Sequence, residues 1–247
     1  MDKVAELKKI IDESNNIVFF GGAGVSTESG IPDFRSANGI YNQKLARNVS
    51  PEELISHTFY VRHPEDFFAF YKDKLIYPEA EPNDCHKALA ELERQGKVRA
   101  IVTQNIDGLH QKAGSKTVYE LHGSTLRNYC ERCRTFYDEK FVLAADGVPT
   151  CEKCGGRVKP DVVLYEEGLD DAVVEGAIRA ISQADTLIIG GTTLIVYPAA
   201  GLIHYFKGKH LVLINKSSTS ADEMAELVIN DNIGEVFKKV MEESYGK

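Results

Sequence analysis

Ile17-Val18-Phe19-Phe20-Gly21-Gly22-Ala23-Gly24-Val25-Ser26-Thr27 is the stretch whose reading decides the fold. Ile17 to Phe20 is an apolar run without polar alternation, the pattern of a parallel strand covered on both faces. A glycine turn follows, and then Glu28-Ser29-Gly30. Strand, glycine turn and helix start together make a phosphate cradle, with main-chain N–H groups and a helix N-terminus facing the anion. Gly22-Ala23-Gly24-x-x-Thr27 departs from G-x-G-x-x-G at the third glycine, and no acidic residue ends a second strand at the usual distance. Taken alone, the turn reads equally as a cradle or as a plain tight turn. No G-x4-G-K-S/T occurs, which removes a P-loop nucleotidase.

Outward from this stretch, similar short runs recur at Val98–Thr103, Val118–Leu121, Val162–Tyr165, Thr186–Ile189 and Leu211–Asn215. Helical patterns lie at Cys85–Gln95, Asp170–Gln183, Ala199–Phe206 and Gly234–Glu243. The first residues, before Ile17, form an amphipathic helix with Val4, Leu7, Ile10 and Ile11 on one side. Strands alternating with helices predict an α/β fold: a Rossmann-like, mostly parallel sheet with helices on both faces. Two stretches break the rhythm. Residues 37–83 hold aromatics and helix starts, Ser50-Pro51-Glu52-Glu53 and Pro64-Glu65-Asp66, without a clear strand. Residues 125–160 are polar and cysteine-bearing. The expected organisation is a core from 1–36, 84–124 and 161–247, with a small domain built from a helical insertion, 37–83, and a metal-binding ribbon, 125–160.

At roughly 150 residues per domain, the 247 residues make about 1.6 domains, which suits one core plus a small insertion domain. The chain carries 29 Lys and Arg against 37 Asp and Glu, a net charge of −8, which disfavours a groove for nucleic-acid phosphates. The N-terminal helix has no uninterrupted apolar core and no small-residue cleavage site, so it is not read as a signal peptide. No run of 18 apolar residues exists, and the expectation is a soluble, cytoplasmic protein with no membrane role.

The cysteines number five, which does not suit a disulfide framework. Cys130-x2-Cys133, seventeen residues, then Cys151-x2-Cys154 is the spacing of a tetrahedral zinc site with four thiolate ligands. Four protein ligands close the coordination sphere, so the zinc is expected to be structural. Gly155 and Gly156 let the chain fold back. Cys85 is left over and is read as a core or helix-surface cysteine.

Further blocks are Gly30-Ile31-Pro32-Asp33-Phe34-Arg35, Thr103-Gln104-Asn105-Ile106-Asp107-Gly108-Leu109-His110, Glu120-Leu121-His122-Gly123 and Gly190-Gly191-Thr192-Thr193-Leu194. With Gly22-Ala23-Gly24-Val25-Ser26 and the cysteine knuckles, in this order, the chain resembles a bacterial or archaeal sirtuin, an NAD-dependent protein-lysine deacylase, over about residues 15 to 240. The resemblance implies the following roles. Gly22, Ala23, Gly24 and Thr27 cradle the pyrophosphate of NAD, a consumed co-substrate, and Asp33 and Arg35 shape the loop over it. Phe34, Ile106 and Asp107 form the nicotinamide pocket, Asp107 accepting from the carboxamide. Gln104 and Asn105 hold the ribose and an ordered water. His122, at a strand end, is the general base, its ordinary pKa suiting that task. Without its context His122 would read as a structural histidine, as His110 still does.

The same resemblance sets Gly191, Thr192, Thr193 and Asn215 against the adenosine half. It puts Asn232 and Ile233 where the family closes over adenine, a segment that reads equally as the start of the last helix. Val162, Val163 and Tyr165 take an acyl-lysine peptide by strand addition. Glu166 stands where the family often has glycine, which alters the local turn. Tyr71-x-x-Lys74 falls where desuccinylase-type members have Tyr-x-x-Arg; it is either a site for acidic acyl groups or ordinary solvated helix charge. Two other functions fit parts of the sequence: an NAD-dependent protein ADP-ribosyltransferase, with the same cofactor cleavage, and a non-enzymatic zinc-ribbon module, which leaves Thr103–His110 unexplained. The absence of heptads points to a monomer.

Overall fold

A computed structural model describes residues 2–36, 39–40 and 49–245. The parts of the 37–83 insertion at 37–38 and 41–48 lie outside the described residues. Helices are α1 (Lys3–Glu13), α2 (Pro51–Leu54), α3 (His57–Arg62), α4 (Pro64–Lys74), α5 (Asp84–Arg94), α6 (Leu109–Ala113), α7 (Glu139–Ala144), α8 (Asp171–Gln183) and α9 (Ile233–Tyr245). Strands are β1 (Ile17–Gly21), β2 (Val98–Thr103), β3 (Val118–Glu120), β4 (Gly123–Cys130), β5 (Phe136–Tyr137), β6 (Val158–Val162), β7 (Thr186–Gly190), β8 (His210–Ile214) and β9 (Leu227–Ile229).

The main sheet has six parallel strands in the order β3-β2-β1-β7-β8-β9. Alternate residues of β1 explain why its sequence shows no polar alternation. Ile17 and Phe19 pack with α1, α5 and α9 on one face, through Leu7, Leu89 and Phe237. Val18 and Phe20 pack with α8 and the 3-10 turn Ala199–Tyr205 on the other, through Ala177, Ile181 and Ile203. Each fully buried side chain of this kind contributes about 1.5–3 kcal/mol, so the strand is held from both sides.

Chain order reverses direction across the sheet between β1 and β7, and this is where open α/β sheets place their sites. The register lines up Glu120, Thr103, Gly21, Gly190, Ile214 and Ile229 in one row at the carboxyl ends of the strands. The loops leaving that row begin at Leu121, Gln104, Gly22, Gly191, Asn215 and Asn230. They contain most of the residues expected to bind NAD.

A second, antiparallel sheet of three strands has the order β5-β4-β6. Beside it, α2, α3 and α4 surround an aromatic cluster containing Phe59, Tyr60, Phe67, Phe68 and Tyr71, joined by Val142, Val162 and Leu164. Ser50 and Ser56 cap α2 and α3, accepting from the N–H groups of Glu53 and Phe59, and Pro51 and Pro64 open α2 and α4, as their starts in the sequence predict.

Two expectations are corrected, and one unexpected strand of the main sheet is added. The run Val162–Tyr165 is not a strand of the main sheet: β6 ends at Val162 and pairs with β4. An apolar run reads the same whether helices or an insertion cover it, and here Val162 and Leu164 are covered by the helical insertion. The segment Ala199–Phe206 is a 3-10 helix ending at Tyr205. The strand β9 is too short to stand out by periodicity.

Candidate active site and metal centre

Two glycine turns meet at the switch point. Gly22 N–H donates to the Gly190 carbonyl at 3.2 Å and Gly24 N–H to the Gly191 carbonyl at 2.8 Å. A Cβ on Gly24 would lie 2.8 Å from Gly191 Cα, and one on Gly22 would lie 2.8 Å from Thr192 Cβ. Gly191 adopts φ +59°, where its own Cβ would clash with Val25 N. The glycines thus permit backbone-to-backbone contact between the turns. The amides of Gly22, Gly24, Val25 and Ser26 all reach main-chain carbonyls, and Thr27 Oγ1 donates to the Gly24 carbonyl at 3.0 Å. Those four N–H groups are thus already bonded within the protein.

The loop after β2 lies against this turn. Gln104 N–H donates to the Gly21 carbonyl, and Gln104 Nε2 donates to Thr192 Oγ1 at 3.1 Å. Asn105 is 8% exposed. Its N–H donates to Thr103 Oγ1, and its Nδ2 donates to Ser26 Oγ at 3.0 Å. Ser26 Oγ in turn donates to Asp107 Oδ2 at 2.6 Å, while Asp107 Oδ1 accepts from Leu109 N–H and starts α6. Burial pushes the Asp107 carboxyl above the usual range, and the Ser26 hydroxyl opposes that shift. Ser26 links two loops, yet it stands in the sequence only as part of the glycine block; its hydroxyl beside a buried strand end was the available signal.

His122 follows β3. Its Nδ1 lies 3.0 Å from the Gln104 carbonyl oxygen. A carbonyl only accepts, so Nδ1 carries the proton and Nε2 keeps its lone pair. Burial lowers the His122 pKa, and the hydrogen bond to Gln104 partly offsets this. Taken together, the two effects favour the neutral imidazole, the form the expected base requires.

Other expected residues are placed as follows. Phe34 and Ile106 pack against the aromatic cluster. Asp33 Oδ1 accepts from the N–H groups of Arg35 and Ser36 and closes a local turn, and Arg35 Nη2 donates to the Tyr165 hydroxyl. Thr192 is buried and Thr193 exposed. Asn215 Nδ2 donates to the Ser217 carbonyl. The Ile233 side chain does not face the cleft: it is 4% exposed in the core, against Gly190. Asn232 does open α9, its carbonyl accepting from Val236 N–H. Glu28, missed in the sequence, accepts from Gly234 N–H at 2.7 Å and ties this helix to the glycine turn.

Val163 N–H donates to the His122 carbonyl, and Tyr165 exchanges main-chain bonds with Ile55 and His57, so the expected peptide segment is pinned beside His122. Glu166 takes φ +76°, the left-handed conformation that glycine adopts freely, and its carboxylate accepts from Thr58 N–H at 2.8 Å. That bond at the start of α3 offsets a backbone cost of about 1–2 kcal/mol. Tyr71 is fully buried in the aromatic cluster and Lys74 pairs with the neighbouring Asp73 at 3.0 Å. These contacts fit ordinary packing and helix charge for the pair.

The four sulfurs of Cys130, Cys133, Cys151 and Cys154 all lie within 4.8 Å of one another. Cys130 and Cys154 Sγ are 3.4 Å apart, and Cys133 and Cys151 Sγ 3.6 Å apart. A tetrahedron with Zn–S bonds of about 2.3 Å has edges of about 3.8 Å, so the quartet fits zinc. Tyr137 donates its hydroxyl to Cys151 Sγ at 3.2 Å, supporting the thiolate from outside. For NAD, a matching feature is Asn232 Oδ1, buried and without a hydrogen-bond partner among the described residues, an acceptor that an adenine amine would satisfy.

A Rossmann-like parallel sheet with a cysteine-bearing insertion and a part-buried Ser–Asn–Asp–His constellation defines a nucleotide-dependent enzyme fold of one kind. A family model described as the Sir2 family matches residues 22–198. A protein of Clostridium perfringens named NAD-dependent protein deacetylase is 72% identical over 98% of this chain and 99% of its own length. One of the same name from Clostridium acetobutylicum is 61% identical over 98% and 99%. A solved Sir2 with p53 peptide and NAD+ superposes with a TM-score of 0.85 at 39% identity, covering 98% of both chains. The chain belongs to the Sir2 family.

Proposed function

We propose that this protein is an NAD-dependent protein-lysine deacylase, which moves the acyl group from lysine to ADP-ribose and releases nicotinamide and O-acyl-ADP-ribose. The observation that carries this reading is the hydrogen-bonded set Ser26, Asn105, Asp107, Gln104 and His122 at the carboxyl ends of β1, β2 and β3. Relatives named NAD-dependent protein deacetylase support it, as do a Sir2 solved with acetylated peptide and one solved with acetyl-ADP-ribose.

When bound, NAD would supply an activated ribose carbon with nicotinamide as its leaving group and a neighbouring ribose hydroxyl. This chain's residues do the rest by position and charge. Asp107 accepts from the carboxamide through the oxygen lone pairs that Ser26 and Leu109 leave. Phe34 and Ile106 exclude water there. Gln104 and Asn105 orient the ribose and a water. His122 Nε2 takes the ribose hydroxyl proton. Ala23, Thr27, Asp33 and Arg35 border the pyrophosphate, with Gly22 and Gly24 admitting it by close backbone packing. Gly191, Thr192, Thr193, Asn215 and Asn232 border the adenosine, with Ile233 contributing main chain alone. Val162, Val163 and Tyr165 receive the peptide, and the zinc held by Cys130, Cys133, Cys151 and Cys154 is structural.

The same reading divides the chain into a core of 1–36, 84–124 and 161–247 and a small domain of 37–83 and 125–160. It takes acyl-lysine proteins as partners, with neither membrane nor nucleic acid, and a cytoplasmic monomer. No helix among the described residues is long and apolar enough to cross a membrane. A net charge of −8 suits lysine-rich peptides. The test is incubation with NAD and an acetyl-lysine peptide, following product masses. Deacylated peptide with O-acetyl-ADP-ribose supports the proposal; ADP-ribosylated protein in its place assigns the transferase activity instead.

A further inference from the structure

The chain passes from β3 of the main sheet into β4 of the smaller one at His122–Gly123 and leaves the smaller sheet after β6 at Asp161–Val163, and the two crossings lie side by side. Gly123 pairs with Val162 and Ser124 with Asp161, and Val163 N–H donates to the His122 carbonyl. Register then breaks. The next paired residue of β4 is Asn128, opposite Pro160, so Thr125, Leu126 and Arg127 form a bulge. Thr125 docks this bulge on the Ile106 carbonyl through both its N–H and its Oγ1. Arg127 reaches from the bulge to both crossings. Its Nη1 donates to Glu120 Oε2 at 2.7 Å and its Nε donates to Asp161 Oδ2 at 2.8 Å. Glu120 is the last residue of β3, two before His122, and its side chain is only 10% exposed.

We propose that Arg127 is a positioning residue for the base: one guanidinium fixes the chain on both sides of His122. The main-chain carbonyl of His122 is held by Val163, its Nδ1 by Gln104, and the flanking segments by Arg127. A planar fork with fixed donor directions can hold two carboxylates on two strands, which a lysine ammonium cannot do with the same geometry. Misplacing a catalytic group by about 1 Å costs up to about a hundredfold in rate. This inference rests on the deacylase reading, in which nicotinamide leaves before His122 acts. A residue that works through His122 therefore slows acyl transfer and spares the exchange of labelled nicotinamide into NAD.

The experiment measures deacylation, nicotinamide exchange, KM for NAD and bound zinc in the wild type, Arg127→Ala and Arg127→Lys. The expected result is a fall in deacylation kcat of about tenfold to a hundredfold in Arg127→Ala. Arg127→Lys should lie in between. Exchange, KM for NAD and zinc content should stay within about twofold in both variants. If Arg127→Ala folds poorly, Arg127→Lys is decisive by its ratio of deacylation to exchange. An equal fall in both reactions makes Arg127 merely structural and overturns the proposal, as does unchanged deacylation. A wild type without NAD-dependent deacylation overturns the functional reading itself, independently of Arg127.

Discussion

The Nδ1 of His122 and the main-chain oxygen of Gln104 stand 3.0 Å apart, joining the loop after β3 to the loop after β2. Because the carbonyl can only accept, this one bond selects the tautomer and leaves Nε2 as the ring's acceptor. The Gln104 side chain meanwhile bonds to Thr192, so the residue that orients the base also touches the turn after β7. Base and cofactor loops are thereby held by a single residue.

His122→Ala removes that acceptor. Deacylation should fall by about a hundredfold to ten-thousandfold, with melting little changed, as read by product masses and circular dichroism. In the wild type, burial places the His122 pKa below its usual 6.5. The base works neutral, so the acid limb of kcat/KM should lie below that value and activity should be flat above it. A limb above pH 7 would contradict the assignment.

Gly24→Ala should raise KM for NAD and destabilise the fold by about 1–3 kcal/mol, since its Cβ has no room against the Gly191 backbone. Gly168→Ala is the control: nothing lies within 4 Å of its Cβ and the site is exposed. Equal melting shifts in the two variants would count against backbone contact as the reason for glycine.

Atomic absorption should find one zinc per chain. Chelation or Cys151→Ser should lower stability by roughly 2–5 kcal/mol, the scale of a lost native cross-link. Thermal melting with and without chelator reads this directly, and an unchanged melt with zinc absent would remove the metal centre.

Acid should unfold this protein through a buried histidine pair. His86 and His110 are 4.7 Å apart between ring centroids, and Phe19 also packs against His110, at 6.1 Å. Burial lowers His86 to about 4. Burial, with His86 as the second cause, takes His110 well below its usual value. The unfolded chain binds these protons first, so stability is complete above about pH 6.5 and declines as pH falls towards 4. A shift of that size at one group is worth about 3 kcal/mol, several degrees in Tm. His86→Gln should flatten the decline between pH 6.5 and 5 in a melting series.

The sequence by itself determined the parts that are local in the chain. A short unalternating apolar run ended by a glycine turn reads as a strand with both faces covered, and β1 is one. Each C-x2-C turn sets two sulfurs side by side by local geometry, and the spacing of the two turns predicts one shared ion. Ser50 and Pro51 start a helix by their own hydrogen-bonding and φ. Tertiary structure alone decided which distant groups meet. Ser26 and Asp107 are 81 residues apart, and their hydrogen bond exists because β1 and β2 are neighbours in register. The same holds for Glu28 with the start of α9, and for Arg127 with Glu120 and Asp161. It also turned Ile233 into the core and assigned the strand at 158–162 to the smaller sheet. Local period and spacing act through bonds along the chain, whereas a hydroxyl's partner depends on strand order and register, which no short stretch of sequence contains.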